Sequence, residues 1–269
     1  MRAEEWSLEQ HARNIQYINV ETHNGCHYKG IHDWCPLHYD KRDQMFLSAS
    51  ILEKVVEFLK KYDFSGLFYL SGYDEPLSDP RMSEFVRYVK KSLPKCTIGM
   101  FTNGKLLDSR MMREIVEAGV DVLRLSIYSK SEHERLIKEH ASSGVNNVCF
   151  HPRYDKAVTD EGAGEDMDDR IHNYDFPGTC LQEPCYMPVM YYFVRNTGEV
   201  HMCFRDWQYD ETFGNLYTDS VEDTLVHPRR IEIINTLVYD RDRMKIPVCS
   251  GCRLPVMRCV SEYCGRMNI

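Results

Sequence analysis

The sequence predicts an α/β protein in which a parallel sheet is followed by a smaller C-terminal part. Apolar runs of strand length recur between residues 15 and 155, and they read IQYINV, GLFYLS, TIGMFT, DVLRLSIY and NNVCFH. The stretches between them carry apolar residues at three- and four-residue spacing, as in ILEKVVEFLKKY, MSEFVRYVKKSL and RMMREIVEAG. Short strands that alternate with amphipathic helices are typical of repeated βα units and a parallel sheet.

The pattern changes after residue 155. The segment DKAVTDEGAGEDMDD holds seven acidic residues and one lysine, which predicts an acidic linker or mobile loop over residues 156–179. The run VMYYFVRNTGEVHMCF then predicts a β-hairpin that turns at Asn196-Thr197-Gly198, where glycine can adopt a positive φ. A helix is expected from about Val221 to Leu237. We therefore expect one domain over residues 1–155 and a small α+β domain over residues 180–269.

The composition argues against several classes of protein. The 33 basic residues against 41 acidic residues give a net charge of −8, which argues against a nucleic-acid-binding protein with a broad basic face. No stretch approaches the roughly 18 uncharged apolar residues that a membrane span needs. The N-terminus MRAEEWSLEQ has acidic residues where a signal peptide has a basic start and an apolar run, so we expect a cytoplasmic protein.

Eleven cysteines are the most unusual feature of the composition. In a reducing compartment thiols are not usually held in disulfides, so clustered cysteines suggest metal or redox chemistry. Cys96 and Cys149 occur singly in the middle of the chain and are expected in the core. Cys26 and Cys35 follow the first predicted strand. The other cysteines lie in the C-terminal part, at positions 180, 185, 203, 249, 252, 259 and 264.

The loop after the first predicted strand combines Cys26 and Cys35 with several histidines. Thiolate and imidazole are the usual ligands of zinc and of iron–sulfur clusters, and both interpretations remain open at this point. In a parallel α/β sheet, ligands bind beyond the C-terminal ends of the strands. The loop therefore lies where a metal site is expected.

This loop resembles the cluster loop of the radical S-adenosylmethionine enzymes. In that family the loop follows the first strand of a partial (β/α) barrel and usually reads C-x3-C-x2-C. Thr22, Asn24 and Cys26 match the start of the family pattern, while Trp34 and Cys35 match the aromatic residue and the cysteine at its end. The resemblance implies a partial (β/α) barrel of the radical S-adenosylmethionine type with a small C-terminal auxiliary-cluster domain.

The middle ligand of the loop departs from the family pattern. With both ends aligned, His32 stands where the second cysteine is expected, and the spacing is C-x5-H-x2-C. A neutral imidazole in place of a thiolate leaves the cluster less negative and should raise its reduction potential, as in Rieske centres. Three hypotheses follow: His32 is the third ligand, His38 takes its place, or normal cleavage of the cofactor has been lost. We assign the ligands to Cys26, His32 and Cys35.

Later turns keep the resemblance in the expected order along the chain. The segment Ser71-Gly72-Tyr73-Asp74-Glu75-Pro76 is similar to the family's Gly-Gly-Glu-Pro turn, which binds the methionine amino group through backbone carbonyls and the glutamate. Thr102-Asn103-Gly104 after the third strand is also common in the family. The residues that the resemblance implies for S-adenosylmethionine binding are Trp34, Gly72, Tyr73, Asp74, Glu75, Asn103, Ser126 and Arg153.

The C-terminal cysteines resemble the auxiliary-cluster extension of the same family, called SPASM in its long form and twitch in its short form. Cys185 is followed by Gly198 and Cys203, and Cys249 and Cys252 come after the predicted helix. In the short form these four cysteines bind one auxiliary 4Fe–4S cluster, and their spacing is similar to that of the aminoglycoside-dehydrogenase branch.

The long form is the alternative for the C-terminal cysteines. It would add Cys180 and Cys264 to the first auxiliary cluster and leave Cys249, Cys252 and Cys259 for a second one. The last run here reads C-x2-C-x6-C-x4-C, whereas the family has C-x2-C-x5-C-x3-C and a later cysteine. We therefore expect one auxiliary cluster, with two as the alternative.

The resemblance implies an enzyme in which a 4Fe–4S cluster binds S-adenosylmethionine and reduces it by one electron. The resulting 5′-deoxyadenosyl radical abstracts hydrogen from the substrate, and the auxiliary cluster accepts the electron left behind, which favours an oxidation. An electron donor such as flavodoxin or ferredoxin is implied as a partner, with no nucleic-acid or membrane partner.

The substrate is the least determined part of this reading. We expect a small molecule, because the first strand begins near residue 15 and leaves no room for a preceding peptide-recognition domain. The alternatives are a peptide-modifying enzyme that oxidises or crosslinks a side chain, and a non-catalytic relative whose cysteines hold zinc. The sequence identifies no catalytic acid or base.

Overall fold

The computed structural model describes residues 2–29, 35–153 and 183–252, except residues 207, 209 and 251. Its strands form one eight-stranded sheet in the order β5-β4-β3-β2-β1-β6-β7-β8. The strands are β1 Tyr17–Val20, β2 Leu67–Tyr69, β3 Thr97–Thr102, β4 Val122–Ile127, β5 Val148–Pro152, β6 Tyr191–Val194, β7 Glu199–His201 and β8 Thr212–Asn215. Each of the five predicted N-terminal runs contains one of these strands.

The helices alternate with the strands in the N-terminal part, as predicted. The helices are α1 Leu8–Arg13, α2 Pro36–Tyr39, α3 Ala49–Lys61, α4 Met82–Ser92, α5 Ser109–Ala118, α6 Lys130–Ser143, α7 Met187–Met190, α8 Val221–Leu225, α9 Pro228–Ile234 and α10 Pro247–Ser250. Helix α5 begins where the Asp108 side chain accepts a hydrogen bond from the Met111 amide at 2.7 Å. Helix α6 has no clear periodic signal in the sequence, because its buried face consists of only Leu136 and Ser143.

Strands β1 to β5 pair in parallel, which agrees with the predicted sheet of βα units. The C-terminal hairpin extends this same sheet, because β6 pairs in parallel with β1 in the register Tyr17↔Tyr191 to Val20↔Val194. Strands β6 and β7 are antiparallel, and Gly198 in their turn has a φ of +82°, as the hairpin prediction required. The sheet is not closed, and the expectation of a partial barrel is confirmed.

The prediction of one helix from Val221 to Leu237 is wrong in one respect. Helix α8 ends at Leu225, and α9 begins at Pro228, which occupies its first position. Proline lacks an amide hydrogen and is tolerated at the start of a helix but not in its interior, so His227-Pro228 separates two helices. A π-helical turn at Asn235–Tyr239 follows α9.

Several expectations fall on residues that the structure does not describe. The acidic segment 156–179 is among them, and so are His32, Trp34, Cys180, Cys259 and Cys264. The division into domains at 1–155 and 180–269 therefore stays a prediction. Within the described ranges, no helix is both long enough and apolar enough to cross a membrane.

Candidate functional site

The loop after β1 is held beside the third strand by its first cysteine. The Cys26 sulfur accepts a hydrogen bond from the Tyr28 amide at 3.4 Å, and the Asn103 side-chain amide lies 3.6 Å away. Cys35 comes after residues 30–34, which the structure does not describe, and it immediately precedes α2. Asn103 follows β3, so the structure brings two sequence-predicted site residues, Cys26 and Asn103, together.

Both thiols of this loop titrate above their ordinary range. Burial raises the pKa of Cys26 to about 11 with a contribution from nearby Glu75 and Cys35, although the hydrogen bond from the Tyr28 amide opposes the change. Burial also raises the pKa of Cys35. A metal centre must therefore displace the thiol protons when it binds, which couples its affinity to pH.

Glu75 ties the turn after β2 to the turn after β3. Its carboxylate accepts hydrogen bonds from the Leu77 amide at 3.2 Å, the Thr102 hydroxyl at 2.5 Å and the Asn103 amide at 2.7 Å. Burial raises the pKa of Glu75 to about 7 in spite of these bonds. The Glu75 amide donates to the Gly25 carbonyl at 2.9 Å, next to Cys26. The turn is thus bonded directly to the cluster loop.

Asp74 fills the other side of the same turn. It accepts a hydrogen bond from the Gly72 amide at 2.7 Å and lies 3.1 Å from Nδ1 of His23, and both side chains of the Asp74–His23 pair are fully buried. Burial lowers the pKa of His23, but the Asp74 carboxylate outweighs this effect and the net change is upward. The His23 ring also stacks on Phe46.

A buried carboxylate at the end of β1 was not recognised in the sequence. Glu21 accepts hydrogen bonds from the Tyr73 and Asn196 amides, each at 3.3 Å. Its Oε2 atom lies 3.8 Å from Arg42 and 4.0 Å from Arg195. Burial and the neighbouring Asp74 raise the pKa of Glu21 to about 7, although the two arginines oppose this. These partners are up to 175 residues away along the chain, so no local sequence pattern predicts them.

Gly72 explains how the turn can approach Glu21. A Cβ atom at Gly72 would lie 2.9 Å from the Glu21 Cβ and 3.0 Å from its Cγ. Real side chains do not come this close, so any larger residue would push the turn away from β1. The sequence resemblance had assigned Gly72 to cofactor binding, and the structure adds this packing requirement.

Ser126 and Arg153 lie farther along the same edge of the sheet. Ser126 is near the C-terminal end of β4 and is paired in register with His151 on β5. Arg153 follows β5, and its amide donates to the Ile127 carbonyl at 2.7 Å. The C-terminal ends of β1 to β5 thus present Cys26, Glu75, Asn103, Ser126 and Arg153 along one edge, which is where ligands of such sheets bind.

The C-terminal part places four cysteines around one small cavity. Cys185 precedes α7, Cys203 follows β7, Cys249 belongs to α10, and Cys252 comes directly after it. Burial raises the pKa of the Cys185, Cys203 and Cys249 thiols, and for Cys203 and Cys249 the surrounding thiols raise it further. The predicted ligands of the auxiliary cluster are therefore brought together by the fold.

Two buried guanidinium groups, those of Arg205 and Arg243, line the same cavity. Iron–sulfur clusters with four thiolate ligands are anionic, and nearby cations favour thiolate over thiol. Within the described part of the chain, no group of three or more His, Cys, Asp or Glu side chains is arranged to hold a single metal ion. The four sulfur donors and the two guanidinium groups fit an anionic, thiolate-bound iron–sulfur cluster.

A tyrosine connects the two regions. The Tyr73 hydroxyl donates a hydrogen bond to the Phe204 carbonyl, and Phe204 follows Cys203 in the chain. The Cys203 sulfur in turn accepts a hydrogen bond from the Arg205 amide at 3.3 Å. The turn expected to bind S-adenosylmethionine is therefore in direct contact with the loop that carries an auxiliary-cluster cysteine.

A family model supports the assignment of the C-terminal part. Residues 185–253 match SPASM, described as an iron–sulfur cluster-binding domain. This range contains all four cysteines around the small cavity. The expected iron–sulfur cofactor and the expected SPASM-type domain are therefore confirmed.

The fold is similar to those of proteins that were solved with bound AdoMet. The structure of BtrN in complex with AdoMet and 2-DOIA has a TM-score of 0.73 at 19% identity, over 91% of this chain and 96% of that one. The structure of anSMEcpe with bound AdoMet has a TM-score of 0.58 at 12% identity, over 82% of this chain and 83% of that one. The resemblance inferred from the sequence motifs is confirmed at the level of the fold.

One curated relative matches over a shorter range. It is the tungsten-containing aldehyde ferredoxin oxidoreductase cofactor-modifying protein of Pyrococcus furiosus, which is 26% identical over 113 residues. The match covers 42% of this chain and 31% of the relative. The chain thus spans less than a third of the length of that protein.

Proposed function

We propose that this protein is a radical S-adenosylmethionine enzyme that oxidises a small-molecule substrate by hydrogen abstraction. The observation that carries the proposal is the double attachment of the turn at residues 72–75. Through the Glu75 amide it is bonded to the cluster loop at Gly25, and through the Tyr73 hydroxyl it is bonded to the auxiliary loop at Phe204. A ligand bound at this turn would lie next to a segment that is bonded to both cysteine-bearing loops.

The first site would be held by Cys26, His32 and Cys35. When bound, this cluster supplies the electron that cleaves S-adenosylmethionine to a 5′-deoxyadenosyl radical. His32 remains our choice for the third ligand because of its place in the motif. His38, the other candidate, is exposed and packs edge-on against Tyr39 at 4.8 Å, which are ordinary surroundings for a surface histidine.

The residues proposed to bind S-adenosylmethionine would have different roles. Most of the hydrogen-bonding capacity of Glu75 is used within the chain, so this residue would act chiefly by holding the turn in place. The carbonyls of Gly72 to Asp74 would then receive the methionine amino group, with Asn103 beside them. Ser126 and Arg153 would meet the ribose and carboxylate. Trp34 completes the proposed set.

The second site would be held by Cys185, Cys203, Cys249 and Cys252. Four protein ligands complete the coordination of a four-iron cluster and leave no iron open to substrate. Electron acceptance is then the role that suits the site, and it favours a net oxidation. An external one-electron donor, flavodoxin or ferredoxin, is part of the proposal because the first cluster must be reduced before each cleavage.

A peptide substrate is the second candidate. It is favoured by the similarity to anSMEcpe, which was solved with bound AdoMet and a peptide. That structure is similar to this one with a TM-score of 0.57 over 88% of this chain. The cavity lined by Tyr73 and Phe204 is small, about 260 Å³, which favours a small molecule instead.

Anaerobic reconstitution tests the proposal. The full chain, incubated with dithionite and S-adenosylmethionine, should contain about eight irons and form 5′-deoxyadenosine. The variant Cys149→Ala is the matched control, because this cysteine lies on β5 outside both sites, and it should retain both properties. Zinc in place of iron, or about four irons without 5′-deoxyadenosine, would contradict the proposal.

A further inference from the structure

A cavity on one face of the sheet is lined mainly by aromatic rings. Its volume is about 260 Å³. Seven of its eleven lining residues are tyrosine or phenylalanine. Six of them are Tyr17, Tyr69, Phe101, Tyr191, Phe193 and Phe204, and the seventh is Tyr73.

The strand register explains why these rings meet. Tyr17 pairs with Tyr191, and Asn19 pairs with both Tyr69 and Phe193. Side chains two residues apart point to the same face of a strand, so these residues share one face across β2, β1 and β6. Gly99 continues the row on β3, where a Cβ atom would lie 2.2 Å from the Tyr69 ring. The missing side chain at Gly99 is what admits that ring.

The lining of the cavity includes residues from both proposed cluster regions. Ser71, Gly72 and Tyr73 belong to the turn proposed to bind S-adenosylmethionine. Met187 and Phe204 are close in the chain to Cys185 and Cys203. A substrate that loses a hydrogen atom at the first site and an electron to the second would fit a cavity that both regions line.

The lining determines which ligand chemistry the cavity favours. Among the described residues, none that lines it is charged. Its polar groups include the side chains of Asn19 and Ser71, and the Asn19 amide donates to the Ser71 carbonyl at 2.9 Å. Moving an ion from water into such surroundings without a charged partner is costly, whereas ring faces contact apolar ligand surface favourably.

We propose that the substrate is an uncharged small molecule with a ring or compact apolar body and a single polar group such as a hydroxyl. This inference rests on the proposed function, since it identifies the substrate class of that reaction. The rings would hold the apolar body, and Asn19 and Ser71 are placed to meet the polar group. A small charged molecule does not match the uncharged lining, and a peptide segment matches neither the lining nor the volume.

Three probes of similar size and different charge test this inference. Benzyl alcohol, benzylamine and benzoate are titrated separately against the anaerobically reconstituted full chain, and binding is followed by ligand-observed NMR. Benzyl alcohol should bind at least about tenfold more tightly than either ion, because neither ion finds a charged partner. Equal or tighter binding of benzylamine or benzoate, or no binding of benzyl alcohol, would overturn the inference.

A pair of variants locates the binding. Phe101→Leu removes a ring from the cavity, and Phe150→Leu removes a similarly half-buried ring on β5 that does not line it. The first variant should weaken benzyl alcohol binding about fivefold or more, and the second should leave it unchanged. Equal effects of the two substitutions would place the probe elsewhere and refute the assignment.

Formation of 5′-deoxyadenosine is measured on the same samples to keep the two proposals separate. Selective binding of benzyl alcohol without 5′-deoxyadenosine would contradict the proposed function while the chemistry of the cavity stands. Active cleavage together with preferred binding of an ion would contradict only the substrate class.

Discussion

The loop that carries Cys26 borders a cavity of about 520 Å³ with polar and charged side chains in its wall, among them Lys29 and Arg42. The four C-terminal cysteines surround a cavity of only about 20 Å³ whose charged lining residues are Arg205 and Arg243. The first region has space for a ligand that enters and leaves. The second is lined by all four predicted cysteine ligands and has little room for anything else.

We expect from this difference that the two proposed iron–sulfur sites on the sheet have different tasks. The first site lies at the C-terminal edge of the parallel strands, where loops diverge and leave an opening. The second is built from the ends of an antiparallel hairpin and from the helices that follow it, which pack closely. Their chemistry should differ in the same way, with an exchangeable cofactor at the first site and electron storage at the second.

The largest expected effect separates the two sites by function. Cys26→Ala should lower 5′-deoxyadenosine formation at least about 100-fold, because loss of a direct ligand should exceed the 10- to 100-fold effect of losing a supporting contact. Cys249→Ala should retain cleavage and lose only the auxiliary irons, about four per chain. Iron content and 5′-deoxyadenosine are measured after dithionite reduction. Equal loss of cleavage in both variants would contradict the division of tasks.

A smaller effect concerns Glu21, a fully buried carboxylate of the first region. The pKa of Glu21 is raised to about 7, above its usual value of 4.5, so the unfolded chain loses this proton at lower pH than the folded chain does. As pH rises from about 4.5 to 7, the free energy of unfolding should fall relative to Glu21→Gln, by about 2 to 3 kcal/mol in total.

Urea unfolding of both proteins at several pH values measures this change. Glu57→Gln is the control, because Glu57 is 57% exposed and its substitution should produce no such trend. A difference between wild type and Glu21→Gln that stays constant with pH would show that Glu21 is ionised in the folded protein across the whole range.

The smallest effect concerns the contact between the regions. Tyr73→Phe keeps the ring and removes the hydroxyl that donates to the Phe204 carbonyl, which should cost about 1 kcal/mol of the free energy of unfolding. Tyr62→Phe, in a half-buried position after α3, should change stability by less than about 0.5 kcal/mol. Equal effects of the two substitutions on the free energy of unfolding would show that the Tyr73 hydroxyl does not stabilise the contact between the two regions.

Much of the N-terminal fold could be predicted because its information is local. Strand runs such as TIGMFT and helix periodicity such as MSEFVRYVKKSL are contained in consecutive residues, and both elements occur where the pattern indicates them. Helix α6 could not be predicted in the same way, since its apolar face is too narrow to give a periodic signal. Pro228 by itself indicates the break between α8 and α9, because proline is not tolerated in a helix interior.

The candidate site divides in the same manner. The resemblance to the auxiliary-cluster extension singled out Cys185, Cys203, Cys249 and Cys252, and the fold places all four around one cavity. The assignment of His32 as the ligand in place of the missing cysteine depends on motif alignment alone. The Glu21 network could not be found from spacing, because it joins β1 to the hairpin turn at Asn196.

The sequence by itself determined strands β1 to β7, helices α3, α4 and α5, the two groups of cysteines and the resemblance to a radical S-adenosylmethionine enzyme, because periodicity and motif spacing are properties of neighbouring residues. Only the tertiary structure decided that β6 pairs with β1, and this pairing brings Tyr191 and Phe193 beside Tyr17 and Asn19. The aromatic cavity and the Tyr73–Phe204 contact follow from that pairing and from the packing around it. Contacts between distant residues depend on how strands associate, which no local pattern records.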